Sequence, residues 1–469
     1  MLQRKKECLQ VRNKILLAVL GILGCSLAVD GRAETWYVAN HGNDSNLGTS
    51  PDQPWQSVDK VNRAIKKAKP GYSVLFNRGD RFDQGVIQIR QGGTPEKETL
   101  IGAYGSGAKP VFDGQDLHAV GISLYSEGLN YVRIENITIR NPGGYDGIDI
   151  GGNNLSHITL SGVNVFNKKH GNGIAMLGVD YYTIENSCIS HVATNGIFIS
   201  SKKGSLAQNG LIRNNVIDCQ GASNDGITIH EASEKDGGFQ AGPNHVVEGN
   251  IVSNCDEQGI DITSGSQVVV RNNVTFDNKD GGVLTADRVT DILIDGHFSL
   301  HDSRKMGAVI INHDRVKLMN SWIVAPYYHA LVLPKGSGFE AINNMIVYGP
   351  ESKGAIVDVG LESKNILMRQ NTLVNLGSSG ARFVRYLSGA TVQNTSSRFE
   401  KNIWWDQGGG KIQLTEEKKG EMDLTRLQKE YSVDNSIAKP KNFQEILDKM
   451  QQPRKPTEAE LRCLEEEKR

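Results

Sequence analysis

Apolar and polar residues alternate in short runs along most of the chain, and the runs recur at a regular interval. From about Asn130, an apolar residue, a polar residue and Asn or Gly are followed by a second run of Gly, apolar, any residue, apolar. Period-2 alternation of this kind is typical of a β-strand with one buried face. The second run begins at Gly147, Gly173, Gly196, Gly226, Gly259 and Gly282, and more loosely at Gly307, His329, Gly354 and Gly380.

The repeat length predicts the fold. From Gly147 to Gly380 the mean repeat is about 26 residues, too short to bury a strand face alone, whereas stacked repeats share one continuous core. We therefore expect an all-β fold, a right-handed parallel β-helix, over residues 130–407. Ile, Val and Leu should stack inside it, and Asn side chains should form ladders in its turns.

Both ends of such a solenoid need a cap. Residues 34–129 should supply the N-terminal cap and the first coils, because apolar residues at helical spacing in 57–68 predict one helix with Ser57 as its N-cap. Residues 408–469 lose the repeat and should form a mixed C-terminal cap with a charged tail. We expect the stretch from about Gln452 to be solvated.

Composition and charge exclude several classes of protein. The chain has 469 residues, of which 52 are Gly, and 38 % hydrophobic with 22 % charged residues is typical of a globular protein rather than a disordered one. Its 52 basic and 53 acidic residues leave a formal net charge of -1. This balance gives no indication of a nucleic-acid partner.

Residues 1–33 have the features of a secretory signal peptide. Basic residues precede the apolar run 15–29, and Gly31-Arg32-Ala33 provides a cleavage site. The run is too short for an ordinary membrane span, so we expect a secreted, periplasmic or cell-surface monomer with no membrane span in the mature chain. Ile22-Leu23-Gly24-Cys25 resembles a lipoprotein box, which leaves a lipid anchor at Cys25 as an alternative.

The remaining cysteines show no short metal-type spacing; they are Cys188, Cys219, Cys255 and Cys463. We expect buried free thiols, with one disulfide among the first three as the alternative.

Two neighbouring repeats are longer than the rest. The steps from Gly196 to Gly226 and from Gly226 to Gly259 are 30 and 33 residues, against 22 to 26 elsewhere. The insertions, 200–210 and 231–244, follow the same strand and should emerge on one side, where they would wall a binding site. Ordinary variation in loop length is the alternative. Candidate substrate-binding residues in the insertions are Lys202, Lys203 and Lys235.

An acidic cluster lies beside these insertions. If Ile227 and Ile229 face inward, Thr228 and His230 face outward, and Asp261 takes the place of Thr228 one coil later. The adjoining turns carry Asp225, Asp256, Glu257 and Asp280. Neighbouring coils lie about 4.8 Å apart, so the carboxylates should fall within roughly 5 to 10 Å of one another. Raised pKa values, cations such as Arg288 or a Ca²⁺ ion would neutralise them.

The motifs Asn224-Asp225-Gly226-Ile227 and Asp256-Glu257-Gln258-Gly259-Ile260-Asp261 resemble the central coils of family 9 pectate lyases. The segment Trp36-Tyr37-Val38 resembles the opening of many secreted β-helix proteins, including polysaccharide lyases. The family resemblance implies a calcium ion that bridges the enzyme and an acidic sugar, and the implied ligands are Asp225, Asp256, Glu257 and Asp261. Gln258 replaces one family carboxylate, and Leu284 occupies the position of the family's lysine base.

Three functions are open at this point. The first is calcium-assisted β-elimination on an anionic polysaccharide, with His230 as the base and Arg288 pairing with the substrate carboxylate. The second is hydrolysis by two carboxylates among Asp225, Glu257, Asp261 and Asp280, as in polygalacturonases. The third is a non-catalytic polysaccharide-binding or scaffold protein. The resemblance favours the lyase, and we expect the site on the coils between Asn195 and Arg288.

Overall fold

Short strands wind into a right-handed β-solenoid of about 12 turns. The computed structural model describes residues 34–144, 146–168, 170–220, 224–231, 239–302, 304–325, 327–350, 354–377, 382–408, 412–417, 420–431, 434–451 and 455–468. The predicted parallel β-helix is confirmed. The predicted signal segment with Cys25, and Lys235, lie outside the described residues.

The described strands form two sheets. The larger has 24 strands: Thr35–Val38, Ser73–Asn77, Gly85–Gln88, Thr99–Tyr104, Val120–Tyr125, Asn130–Glu135, Ile148–Ser161, Ile174–Glu185, Ile197–Ser200, Leu211–Arg213, Ile227–His230, Val246–Glu248, Gln258–Arg271, Gly281–Asp295, Gly307–Ile311, Asp314–Met319, His329–Ser337, Glu340–Ile342, Ala355–Lys364, Leu367–Arg369, Arg382–Tyr386, Arg398–Glu400, Gln413–Glu416 and Gly420–Asp423. The second has 14 strands: Arg81–Phe82, Val111–Asp113, Thr138–Arg140, Asn164–Lys168, Cys188–Val192, Val216–Asp218, Ile251–Ser253, Val274–Phe276, Phe298–Leu300, Trp322–Ala325, Met345–Tyr348, Thr372–Asn375, Ile403–Asp406 and Ser436–Ile437.

The core is a set of stacked apolar side chains between the sheets. Successive coils pair in parallel with like residues in register, so that Ile148, Ile174, Ile197, Ile227 and Ile260 form one fully buried row. Burying an aliphatic side chain of this size stabilises the fold by about 1.5–3 kcal/mol. Because every coil contributes such rungs, the core extends along the whole solenoid and leaves the outward strand positions available for function.

The predicted Asn ladders are present in the turns. In one of them the Nδ2 atoms of Asn215 and Asn250 donate to Oδ1 of the next rung, Asn250 and Asn273, at 3.0 Å in both cases. All three side chains are fully buried. Since a buried amide without partners costs about 1–3 kcal/mol, each rung depends on its neighbours, and this holds the coils in register.

The described residues contain four helices, one near the N-terminal end of the solenoid and three beyond its last coils: α1 (Val58–Ile65), α2 (Leu424–Tyr431), α3 (Phe443–Gln451) and α4 (Glu458–Lys468). Helix α1 begins as predicted, because Ser57 Oγ accepts a hydrogen bond from the amide of Lys60 at 3.1 Å. Its buried face consists of Val58, Val61 and Ile65. No helix among the described residues is long and apolar enough to cross a membrane.

The prediction of free thiols is wrong. Cys188 is bonded to Cys463 and Cys219 to Cys255. The first bond joins residues 275 apart in the chain, a separation for which short-range cysteine spacing carries no signal. Disulfides persist in oxidising compartments, which is typical of an extracellular protein. Secretion itself stays a prediction.

The C-terminal stretch is not a free tail, contrary to expectation. The disulfide of Cys463 ties α4 to the second sheet, and the carboxylate of Glu467 contacts Ser190 Oγ at 2.7 Å and His191 Nδ1 at 2.8 Å. Arg140 donates to the carbonyl of Glu467 at 2.5 Å. The charged composition that predicted solvation belongs to a helix with one face against the sheet.

Candidate functional site

A groove of about 730 Å³ lies on the outward face of the larger sheet, where the two long repeats adjoin. Such a volume is in the range of ligand-binding clefts. The residues that line it include Tyr125, Leu177, Phe198, Ser200, Lys202, Lys203, Asn224, Asp225, Thr228, His230, Glu231, Glu257 and Asp261. The structure therefore brings six of the sequence-predicted residues into one groove: Lys202, Lys203, Asp225, His230, Glu257 and Asp261.

The strand register positions the floor of the groove. Thr228 pairs with Phe198 on one side and with Asp261 on the other, and the next coil presents Leu284. These positions point away from the core because the buried Ile rows alternate with them. The register expected from the sequence is confirmed, including Leu284 where the family resemblance implies a lysine.

The two insertions do emerge on one side, and they contact each other. The amide of Gly242 donates to the carbonyl of Ala207 at 2.7 Å. Behind them, His245 accepts from the hydroxyl of Tyr182 at 2.8 Å and donates through Nε2 to the carbonyl of Gly242 at 3.1 Å. Burial lowers the pKa of His245 to about 4, so this buried imidazole stays neutral and serves as an anchor for the second insertion.

Asp225 occupies a rung of a second polar ladder. In the preceding coils, Asn195 donates to Asn172 Oδ1 through its side chain at 3.0 Å. The amide of Asp225 continues the row by donating to Asn195 Oδ1 at 3.2 Å, and Asp225 Oδ1 accepts from the amide of Gln258 at 2.9 Å. A carboxylate thus stands where the two previous coils carry an amide, and it does so beside the groove.

The electrostatics of Asp225 follow from this position. Its side chain is buried, at 6 % exposure. Burial raises the pKa of Asp225 to about 7; the hydrogen bond from Gln258 opposes this shift, and the nearby charges of Glu257 and Asp280 add to it. Around pH 7, Asp225 is therefore present in part as the carboxylic acid, which can donate a proton.

His230 has a defined tautomer. Its Nδ1 lies 2.6 Å from the carbonyl oxygen of Glu231. A carbonyl oxygen only accepts hydrogen bonds, so Nδ1 carries the hydrogen and neutral His230 keeps its lone pair on Nε2. The ring is half-buried and lines the groove, which makes Nε2 a candidate base.

Three of the predicted residues do not line the groove: Asp256, Asp280 and Arg288. Each is held in an ion pair. Asp256 pairs with Lys279, Asp280 with Lys305 at 3.1 Å, and Arg288 with Glu231 at 3.2 Å. Asp280 still acts on the site through its charge, because it raises the pKa of Asp225.

The family resemblance implies calcium ligands at Asp225, Asp256, Glu257 and Asp261. Among the described residues, no three His, Cys, Asp or Glu side chains converge to hold a metal ion. Asp256 forms an ion pair with Lys279, and Gln258 stands where the family has a carboxylate. Calcium binding stays a prediction, and no catalytic step below depends on it.

Sequence reasoning missed the apolar part of the groove. Tyr125, Leu177 and Phe198 line it together with the charged residues. They occupy outward positions in register with the strands of the acidic cluster. Following the outward rows back over three further coils would have found them, whereas a search for titratable residues passes over them.

The sequence matches a known family over this region. The family described as "Pel9A-like, right handed beta helix region" matches residues 36–291, more than half of the chain. The chain belongs to this family. The finer resemblance to family 9 pectate lyases stays a prediction.

A curated relative is the lacto-N-biosidase of Bifidobacterium longum subsp. longum (strain ATCC 15707), 32 % identical over 140 residues. The match covers 24 % of this chain and 9 % of that protein, so the chain corresponds to less than a tenth of the relative.

Two solved structures with a similar fold belong to enzymes that are named for different glycans. One is a mannuronic acid-specific polysaccharide family 6 lyase from human gut microbiota, with 11 % identity, coverage of 89 % of this chain and 94 % of that chain, and a TM-score of 0.56. The other is the catalytic unit of a family 87 α-1,3-glucanase from Streptomyces thermodiastaticus, with 15 % identity, coverage of 81 % and 68 %, and a TM-score of 0.52. At these identities the likeness shows the fold alone.

Proposed function

We propose that the chain is a polysaccharide-cleaving enzyme that uses the groove between the two insertions, and that it hydrolyses a glycosidic bond. The observation that carries the proposal is the Asp225 carboxyl, which lines the groove and is buried there, and whose pKa that burial raises to about 7. Breaking a glycosidic bond requires a proton on the leaving oxygen, and an acid with a pKa near the working pH is best suited to supply it.

The second carboxylate of the proposed mechanism is Asp261. Asp261 lies one coil after Asp225, on the strand that pairs with the strand following Asp225. Its side chain lines the groove. Asp225 donates its proton to the glycosidic oxygen as the C–O bond breaks. Asp261 then takes a proton from the water that adds to the anomeric carbon. Alternatively, Asp261 attacks that carbon itself, and a water that gives its proton back to Asp225 then hydrolyses the glycosyl ester. Configuration of the new reducing end distinguishes these two forms.

The curated relative supports hydrolysis, since its name is that of a glycosidase. The position of Glu257 also supports the role of Asp225 as the acid. It stands beside Asp225 as a second negative charge, and such a charge favours keeping the proton on Asp225 before the substrate arrives.

β-Elimination is the second candidate, and His230 is the observation that favours it. Its Nε2 keeps a lone pair, and the residue lines a groove that also carries Lys202 and Lys203, which suit an anionic substrate. In that reaction His230 would take the proton next to a uronate carboxylate, and Asp225 would again protonate the leaving oxygen. Both candidates therefore share the same acid.

Product analysis separates the two reactions. The purified protein is incubated with a panel of neutral and uronate-containing polysaccharides, and new reducing ends and ultraviolet absorbance are followed together. Hydrolysis predicts reducing ends without an unsaturated product, and a chelator should leave the rate unchanged. A product that absorbs in the ultraviolet would show β-elimination instead of hydrolysis. The absence of any product from every substrate would contradict an enzymatic function for the groove.

A further inference from the structure

We propose that Thr228 is a specificity-determining residue of the groove, and that its side-chain hydroxyl binds a ring hydroxyl of the sugar unit that is cleaved. The inference rests on the proposed function and deepens it. It adds a neutral binding group between the two carboxylates and names the chemistry that this group recognises, a sugar hydroxyl.

The Thr228 hydroxyl is buried without a partner. The residue is 1 % exposed, and its Oγ1 atom has no hydrogen-bond partner among the described residues. Thr263, on the next coil, is also buried, but its Oγ1 donates to the carbonyl of Ile229 at 3.4 Å. A buried hydroxyl that makes no hydrogen bond destabilises the folded state, so Thr228 lowers stability where an apolar residue of the same shape would not.

The strand places this hydroxyl at the groove. Thr228 alternates with the buried residues Ile227 and Ile229 and lines the groove. It pairs in register with Phe198 on the preceding coil and with Asp261 on the following coil. Neighbouring strands lie about 4.8 Å apart, so an apolar ring, a hydroxyl and a carboxylate follow one another over roughly 10 Å of the groove floor.

The proposed mechanism places the reacting sugar over Thr228. Asp225 lies three residues before Thr228, on the turn that leads into its strand, and Asp261 is its neighbour on the following coil. The acid has to reach the glycosidic oxygen and the second carboxylate has to act at the anomeric carbon, so the cleaved unit is held between them. A threonine hydroxyl both donates and accepts hydrogen bonds, as a sugar hydroxyl does.

A bond to this hydroxyl gives the site selectivity. A site that bonds a substrate hydroxyl rejects a substrate that lacks it, because the buried group of the site then stays without a partner. Removing the hydroxyl from the enzyme instead leaves the sugar hydroxyl without its partner. The loss of one such hydrogen bond corresponds to about a tenfold fall in kcat/KM.

Thr285 provides a matched control within the chain. It is fully buried, and its Oγ1 atom likewise has no partner among the described residues. It pairs with the core residues Ile262 and Ile311 and does not line the groove. The two threonines therefore share an unpartnered hydroxyl, but Thr228 presents it on the groove side of the sheet and Thr285 on the core side.

The test compares Thr228→Val, Thr228→Ser and Thr285→Val in the full chain. Valine replaces the hydroxyl by a methyl group, so Tm should rise by roughly 1 to 3 °C in both valine variants. The probes for cleavage are polygalacturonate, polymannuronate and α-1,3-glucan, followed by the formation of reducing ends. We expect kcat/KM to fall about tenfold in Thr228→Val and to stay within about threefold of the wild type in Thr228→Ser and Thr285→Val.

A Thr228→Val variant that is at least as stable as the wild type but less active, with activity kept by serine, supports the inference. Full kcat/KM in Thr228→Val, an equal loss in Thr228→Ser or Thr285→Val, or a lower Tm in Thr228→Val overturns it. These outcomes leave the proposed function in place, because the wild type still cleaves its substrate. If the wild type cleaves none of the three probes, both proposals fail together.

Discussion

Replacing Asp225 by Asn should make the protein more stable at neutral and alkaline pH. The carboxyl is 6 % exposed and its pKa rises from 3.8 to about 7 on folding. Ionised Asp225 therefore destabilises the folded state by about 1.4 kcal/mol for each unit of the shift, which is about 4 kcal/mol in total. An uncharged Asn has no such cost.

The ladder geometry adds to this gain. Asn195 already donates through its side chain to Asn172 Oδ1 at 3.0 Å, and an Asn at position 225 should make the same bond to Asn195 Oδ1. A hydrogen bond of this kind contributes about 1 kcal/mol. The replacement thus turns an interrupted amide ladder into a continuous one.

The pH dependence has a definite sign. Below pH 3.8 the carboxyl is protonated in both the folded and the unfolded states, so Asp225 and Asn should be nearly equal in stability apart from the added hydrogen bond. As pH rises from about 4 to about 7, the unfolded chain releases this proton before the folded chain does. The advantage of the Asn variant should therefore grow across this window and level off above it.

Thermal unfolding at a series of pH values is the assay. For a unit spanning residues 35–469, an unfolding entropy of about 2.1 cal/mol/K per residue converts about 4 kcal/mol into a rise in Tm of roughly 4 °C. A variant that unfolds below the wild type at pH 8, or a Tm difference that does not change between pH 4 and pH 8, would show that ionised Asp225 does not destabilise the folded state.

Three further substitutions test the core and the C-terminal helix. Gly282→Ala should lower the free energy of unfolding by about 3 kcal/mol, because its Cβ would lie 2.5 Å from Oδ2 of the fully buried Asp302; an unchanged Tm would contradict this packing. Asn250→Asp is the reverse of the exchange at position 225 and should cost at least about 3 kcal/mol, since it turns the amide that donates to Asn273 Oδ1 at 3.0 Å into an acceptor; a denaturant midpoint equal to that of the wild type would speak against the ladder. Cys463→Ser should lower stability by about 3 kcal/mol and leave cleavage unchanged, as measured by unfolding and rate assays under oxidising conditions; a loss of cleavage at full stability would place the helix in the site.

The fold could be predicted because the information lies in short, repeated patterns. Strand alternation specifies that Ile227 points into the core and Thr228 away from it. The repeat length then sets which residues pair across neighbouring coils. The pairing of Thr228 with Asp261, and of Asp261 with Leu284, follows from these two features alone. Register in a solenoid is strongly specified, because a slip by one residue would expose every core side chain.

What the sequence left open depends on contacts between distant segments. The bond of Cys463 to Cys188 spans 275 residues, and no local pattern encodes it. The ion pairs of Asp256 and Arg288 form with neighbours that the alternation pattern does not orient. Tyr125 was missed for another reason: an outward aromatic residue resembles any exposed side chain until the structure shows that it lines a groove together with Lys202 and Lys203.

The most direct test of the account compares the cleavage rates of Asp225→Asn and Asp256→Asn on the polysaccharide that the wild type cleaves. Both variants remove one carboxylate from the same acidic cluster, but Asp225 lines the groove and Asp256 pairs with Lys279 outside its lining. We predict that kcat falls at least about a hundredfold in Asp225→Asn, the lower end of a general acid's contribution, and stays within about twofold of the wild type in Asp256→Asn. Full activity in folded Asp225→Asn, or an equal loss in both variants, would contradict it.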